Sequence, residues 1–213
     1  MGKRIEVSGG IASGKTTFVS GLCSDGSFAV FERFRDTQFY RAFYEDPITY
    51  AFETEIDFLL QHYHMLKRER AREKVISDYS LWLDRAYANT NLSGNKHRAF
   101  LAVWNEILSD IGHPALVVHL KCKPDVLMNR IARRRRPEEA GISIDYISKL
   151  NLQINSEVTR LSEITPVLEI SSDEVDFSET AEGARRTFAR INTVVDEILI
   201  SGIPAVTRYP ASK

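Results

Sequence analysis

The segment Ile5–Thr17, "IEVSGGIASGKTT", constrains this chain more than any other. An apolar, β-branched run leads into Gly9-x4-Gly14-Lys15-Thr16, and a stretch able to form a helix follows. That is the G-x-x-x-x-G-K-[S/T] pattern in the strand–turn–helix context that gives it meaning. Glycine at Gly9, Gly10 and Gly14 lets backbone N–H groups, including those of Ile11, Ala12 and Ser13, wrap an anion. Lys15 brings a point charge to β- and γ-phosphates, and the Thr16 hydroxyl can ligate Mg2+. At Thr16 and Thr17 the helix N-terminus adds its partial positive charge. The plain alternative is a tight glycine turn with no ligand, and the flanking strand and helix weigh against it.

Five short apolar runs read as strands: Lys3–Ser8, Phe28–Phe31, Lys74–Asp78, Ala115–Leu120 and Pro166–Ile170. Helical stretches separate them, the longest spanning Ala51–Lys74 with an apolar stripe through Ile56, Leu59, Leu60, Tyr63 and Leu66. Such alternation predicts an α/β fold, a parallel sheet with helices on both faces. Ligands in such sheets bind at the carboxyl ends of the strands. The loops after Ser8, Phe31 and Asp78 therefore belong to one site. At 213 residues the chain suits one domain, read here as residues 1–200, with 201–213 a loosely held, flexible tail.

A net charge of −1 gives no reason to expect nucleic acid or membrane as a partner. No run approaches the ~20 apolar residues of a membrane span. The N-terminus lacks a secretory pattern, and Cys23 and Cys122 read as reduced thiols rather than a disulfide. Together these place the protein in the cytoplasm.

Three features carry chemistry beyond the loop. Asp78 ends a strand, where a carboxylate can reach a phosphate-bound metal; a surface aspartate is the alternative. Glu32 ends the strand expected beside the loop, where it can accept the proton of an attacking hydroxyl; an ordinary helix-entry glutamate is equally compatible. Arg130, Arg133, Arg134, Arg135 and Arg136 can clamp transferring phosphates. A solvated helix face or a nucleic-acid patch are the alternatives, the latter weakened by Glu138 and Glu139 directly after.

Taken together, these residues resemble the deoxynucleoside kinase family, which phosphorylates the 5′-hydroxyl of deoxynucleosides. "GGIASGKTT" resembles the family P-loop. "FERFRDTQFYRAFYEDPITYAF" resembles the segment running from the catalytic glutamate. "DYSLWLDRAYA" resembles the Asp/Glu-Arg-Ser motif and the Asp-Arg that follows it. "RIARRRRPEEAGISIDYISKLN" resembles the arginine-rich lid, and "PVLEISSDEVDF" the last strand and adenine loop. The resemblance implies a five-stranded P-loop kinase fold, ATP and Mg2+ as cofactors, and a homodimer. It implies that Glu32 is the general base, that Tyr44 and Glu139 hold the sugar 3′-hydroxyl, and that Asp84 lies near the base. Arg130, Arg134 and Arg136 match the lid arginines, and Asp176 and Phe177 the adenine pocket. Thr16 and Asp78 fall on the metal side.

The departures are informative. Tyr79 stands where the family has an arginine, and Arg33 where it has a proline, so Arg33 is a candidate to restore the lost charge. Glu55 replaces the glutamine that pairs with the base, and His62 replaces an arginine further along the same helix. An ionised glutamate offers acceptors only, which suits the two donors on the guanine edge; a slipped alignment with Glu55 on the surface is the alternative. The reading is an ATP-dependent nucleoside kinase leaning to a purine. A thymidylate-kinase-like enzyme acting on monophosphates, or a nucleotide-binding regulatory protein without transfer activity, are its competitors.

Overall fold

The structure is a computed structural model and describes residues 3–23, 27–175, 177 and 181–209. The strands are β1 (Lys3–Gly9), β2 (Phe28–Val30), β3 (Lys74–Ser77), β4 (Leu116–Lys121), β5 (Val167–Ser171) and β6 (Val206–Tyr209). They form one sheet in the order β2-β3-β1-β4-β5-β6, every neighbouring pair parallel. The helices are α1 (Lys15–Leu22), α2 (Tyr40–Glu45), α3 (Pro47–Arg68), α4 (Leu81–Asn91), α5 (Gly94–Ile111), α6 (Pro124–Arg134), α7 (Ile144–Leu161) and α8 (Ala181–Ser201).

Strand alternation divides the core in two. Val75, Val117 and Val167 face α3, α4, α5 and α7. Ile5, Val7, Leu116, Val118 and Leu168 face α1 and α8 on the other side. Both layers are needed because the inner strands bury both faces.

Two boundaries depart from the sequence expectation. Helix α3 starts earlier, at Pro47, where Asp46 accepts from the Thr49 amide at 3.2 Å and proline suits the first turn. It ends at Arg68, because Lys74 is already paired with Lys3 in the sheet. The sheet also has six strands rather than five. Residues 206–209, read as part of a flexible tail, pair with β5 after the α8 crossover, and Tyr209 packs on the α1–α8 core layer. This edge strand is mostly exposed, so it lacks the apolar signature of the inner five.

The fold brings the ends of β1, β2 and β3 together, with α6 following β4 alongside. Helix α6 stops at Arg135, whose φ of 50° is left-handed, and a short 3-10 turn at Pro137–Glu139 follows. Helix α4 begins at Ser80, whose hydroxyl accepts from the Trp82 amide and donates to the fully buried Glu6 at 2.8 Å. Glu6 also accepts from the Leu81 amide, anchoring the helix turn that carries Asp84. No disulfide joins Cys23 and Cys122. Among the described residues no helix is long and apolar enough to cross a membrane.

Candidate active site

A cavity of about 680 Å³ opens at the carboxyl ends of the strands. Its walls take in residues Ile11 to Thr17, Glu32, Tyr44, Glu55, Asp78 and Asp84, Arg130, Arg133 and Arg134 of α6, Arg136 after it, Glu139 and Phe177. Gly9 and Gly10 lie behind this wall and shape the loop. At Gly9, with φ of 153°, a Cβ would stand 2.8 Å from the Leu120 carbonyl oxygen and 2.6 Å from Ser13 Oγ. Only glycine fits there. Gly14, at φ 97°, enters α1 with no side-chain cap, so the first amides of α1 are left for an anion. Ala12 also adopts a left-handed conformation, at φ 63°, unusual for a residue with a Cβ. Lys15 Nζ donates to the carbonyls of Gly9 (3.0 Å) and Gly10 (3.2 Å). Burial lowers its pKa, and the carboxylates of Glu32 and Asp78 oppose the fall.

Asp78 joins the loop to the neighbouring strand end. It accepts from the Thr16 hydroxyl at 2.6 Å and from the Glu32 backbone N–H at 2.6 Å. Burial raises its pKa against those two hydrogen bonds. The Thr16 proton points to Asp78, which leaves the hydroxyl lone pairs available to a hard cation. Among the described residues no group of three or more His, Cys, Asp or Glu side chains forms a metal cage. A Mg2+ ion needs none, since it keeps waters and takes one or two protein oxygens plus substrate phosphate. The donor set at Thr16 and Asp78 fits that pattern.

Glu32 projects from the end of β2 into the cavity wall. Burial works to raise its pKa, but the hydrogen bond and charge of His62, helped by Lys15 and Arg136, hold it below the usual carboxylate range. His62, 1% exposed, sits between two carboxylates: Nδ1 lies 2.9 Å from both oxygens of Asp84, and Nε2 lies 3.3 Å from Glu32 Oε1. Its ring stacks on Tyr79, centroids 4.0 Å apart and planes within 11°. Burial lowers the His62 pKa, but Asp84 and Glu32 outweigh it and push the value up to about 10. Arg33 does not restore charge here. It is exposed, its guanidinium faces Asp36 at 3.9 Å, and it is absent from the cavity wall.

The lid arginines are placed more specifically than their sequence run implies. Arg130 donates to the Ser172 carbonyl at 2.5 Å and reaches the Ser13 carbonyl at 3.4 Å, bracing the loop against the segment after β5. Arg134 pairs through two nitrogens with Glu139, its Nε at 2.6 Å. Arg136 approaches the same carboxylate at 3.5 Å and lies over the Phe34 ring. Glu139 thus gathers two arginines and the Tyr40 hydroxyl, itself 3.5 Å away. Arg130 and Arg134, expected as direct phosphate clamps, are bonded to protein acceptors while remaining on the cavity wall.

The far end of the cavity sets buried carboxyls among aromatic rings. Tyr44 packs edge-on against Tyr40 and Phe43. Glu55 is buried, not on the surface, and accepts from Asn91 Nδ2 at 2.7 Å. Burial pushes its carboxyl up to about 8, partly opposed by Asn91. The ionised form assumed from sequence is therefore the minority form at neutral pH in the empty pocket. Phe58 and Tyr87 line the same end. Phe177 stands at the opposite end, in edge contact with Phe18 beside the loop; Asp176 lies outside the described residues.

Sequence reasoning had missed Tyr40, Phe58, Tyr87 and Asn91. Tyr40 sits one helical turn before Tyr44, and Phe58 falls between Glu55 and His62 on one face of α3, so spacing alone could have found these two. Asn91 and Tyr87 come from α4 and carry no local signal.

Similarities to known proteins bear on this geometry. A deoxyguanosine kinase of Bacillus subtilis is 26% identical over 208 residues, covering 92% of this chain and 97% of its own length. A deoxyadenosine kinase of Dictyostelium discoideum is 24% identical, covering 85% of this chain and 77% of its own. In fold, the chain matches a structure of deoxyadenosine kinase from M. mycoides with bound dATP, with a TM-score of 0.77 at 18% identity, covering 91% of this chain and 99% of that one. The family model for deoxynucleoside kinase matches residues 5–196, nearly the whole described fold. The chain belongs to the deoxynucleoside kinase family and is a nucleoside-phosphorylating enzyme.

Proposed function

We propose that this enzyme transfers the γ-phosphate of ATP to the 5′-hydroxyl of a purine deoxynucleoside. The observation that carries the reading is the position of Glu32. Its amide is fixed by Asp78 at 2.6 Å, the same carboxylate that holds Thr16 of the phosphate loop. One aspartate thus sets the spacing between the phosphate cradle and a carboxylate kept ionised.

ATP lies with its phosphates on the amides of residues 11–17 and its adenine towards Phe177. Thr16 and Asp78 would hold Mg2+, which supplies charge neutralisation on the phosphates when bound. The nucleoside enters with its base towards Glu55 and Asp84 and its sugar between Tyr44 and Glu139. Glu32 accepts the 5′-hydroxyl proton as the O5′–phosphorus bond forms, and the bond to the β-phosphate oxygen breaks to release ADP. Lys15 and the lid arginines stabilise charge on the transferring group, as positioning and electrostatics dominate such transfers. For that, Arg134 must exchange Glu139 for phosphate, and the sugar 3′-hydroxyl is a natural replacement partner for Glu139.

Glu55 supports a purine site whose choice of base turns on its protonation, with guanine gaining on adenine as the carboxyl ionises near pH 8. A guanine edge offers two donors, so it binds the ionised carboxylate and expels a proton. An adenine edge offers one acceptor and one donor, matching the neutral carboxyl. Two of the relatives' names, deoxyguanosine and deoxyadenosine kinase, fit a purine site of this kind. The composition fits the cytoplasm, and the family resemblance supports a homodimer as the working form. Glu32→Gln tests the reading: turnover should fall about 10²–10⁴-fold with ATP affinity, measured by calorimetry, unchanged. Near-normal turnover would remove Glu32 from the role.

A further inference from the structure

We infer that His62 is a positioning residue, an imidazolium clamped between Asp84 and Glu32 that aims the Glu32 carboxylate and ties it to the base pocket. The argument rests on which ring atoms meet carboxylates. A neutral imidazole has one N–H and one lone pair. Here Nδ1 hydrogen-bonds Asp84 at 2.9 Å, while Nε2 faces Glu32 Oε1 at 3.3 Å, an ion-pair distance without hydrogen-bond alignment. Either neutral tautomer would set a lone pair against a carboxylate, at a side chain that water barely reaches. Only the doubly protonated ring turns an N–H, rather than a lone pair, to a carboxylate on each side, and it needs only a small rotation of Glu32 to complete the second hydrogen bond.

The ring cannot swing away. Tyr79 covers one face in parallel stacking, and Phe58 leans against it at 5.8 Å between centroids. A cation over a tyrosine face is itself favourable. The ionisable neighbours favour the charged ring. Asp84 of α4 and Glu32 after β2 are acidic and push towards the charged ring, Glu55 of α3 is mostly protonated below about pH 8, and Tyr79 after β3 stays neutral because burial raises its pKa. Lys15 and Arg136 reach Glu32 from its far side, and Glu6 faces Asp84 from β1. In a chain with tyrosine after Asp78, His62 is the cation that touches both Glu32 and the base pocket. A base seated against Asp84 therefore stiffens the clamp that orients Glu32.

This inference rests on Glu32 as the general base, and the test separates the two. In the full-length protein labelled with 15N-histidine, the His62 signals, assigned by their loss in His62→Gln, should show two protonated ring nitrogens at pH 8. Free histidine is neutral there. A neutral His62 at pH 8 overturns the inference and leaves the role of Glu32 intact. Kinetically, His62→Gln should lower kcat at least about tenfold with the KM for ATP within twofold, and His62→Arg, which keeps the charge, should recover most of it. A Gln variant as active as the parent, or an Arg variant no better than Gln, also contradicts it. Normal turnover in Glu32→Gln would instead strike the reading on which this rests.

Discussion

The phosphate end and the base end of the cavity are built in opposite ways. The phosphate end is mostly backbone: nine consecutive residues from Gly9 to Thr17, two glycines with left-handed φ, and the start of α1. The base end is entirely side chains from separate elements. Glu55, Phe58 and His62 come from α3, Asp84, Tyr87 and Asn91 from α4, and Tyr44 from α2. Backbone recognition tolerates little change, because the dihedrals themselves form the site. Side-chain recognition can be rewritten one residue at a time, and on the proposed reading Glu55 and His62 are the positions at which to look for it.

Lys15→Met would break the phosphate end most severely. Its ammonium is the charge supplied from within the loop, so turnover should fall about 10²–10³-fold for every nucleoside alike, read from initial rates. A loss confined to one nucleoside would mean the two ends are not separable in this way. At the base end the change should be selective instead. Glu55→Gln keeps a donor and an acceptor at all pH values, so it should move the deoxyguanosine-to-deoxyadenosine ratio of kcat/KM about tenfold or more towards adenine, leaving the KM for ATP unchanged. An unchanged ratio would remove Glu55 from base recognition.

The smallest effect sharpens the comparison by pH. With the Glu55 carboxyl near 8, guanine must displace a proton below that value and need not above it. The KM for deoxyguanosine should fall as pH rises from 7 to 8.5, while that for deoxyadenosine rises. Glu55→Gln should flatten both trends. Parallel trends for the two purines would contradict the assignment of the titration to Glu55.

What the sequence revealed follows the same division. The loop was legible because its residues are contiguous and their spacing encodes the turn. Asp78 and Glu32 were legible because parallel strands deliver their ends to one edge. Roles at the lid were only half legible: five arginines predict positive charge, but not that Glu139 gathers Arg134 and Arg136 or that Arg130 braces Ser172. Arg33 was the wrong place to look for a replacement cation, since the loop after β2 turns it outward. His62 could be named as a departure, yet its bridge depends on α3 packing against α4 across 22 residues of chain. Strand β6 escaped notice because an exposed edge strand needs no apolar run.

The most direct test is a coupled ATP-consumption assay of the purified protein with Mg2+, run against each deoxynucleoside, each ribonucleoside and each deoxynucleoside monophosphate. The account predicts turnover with purine deoxynucleosides, yielding the 5′-monophosphate, with deoxyguanosine gaining on deoxyadenosine as pH rises through 8. Turnover only with monophosphates, or ATP binding with no nucleoside phosphorylated, would contradict it.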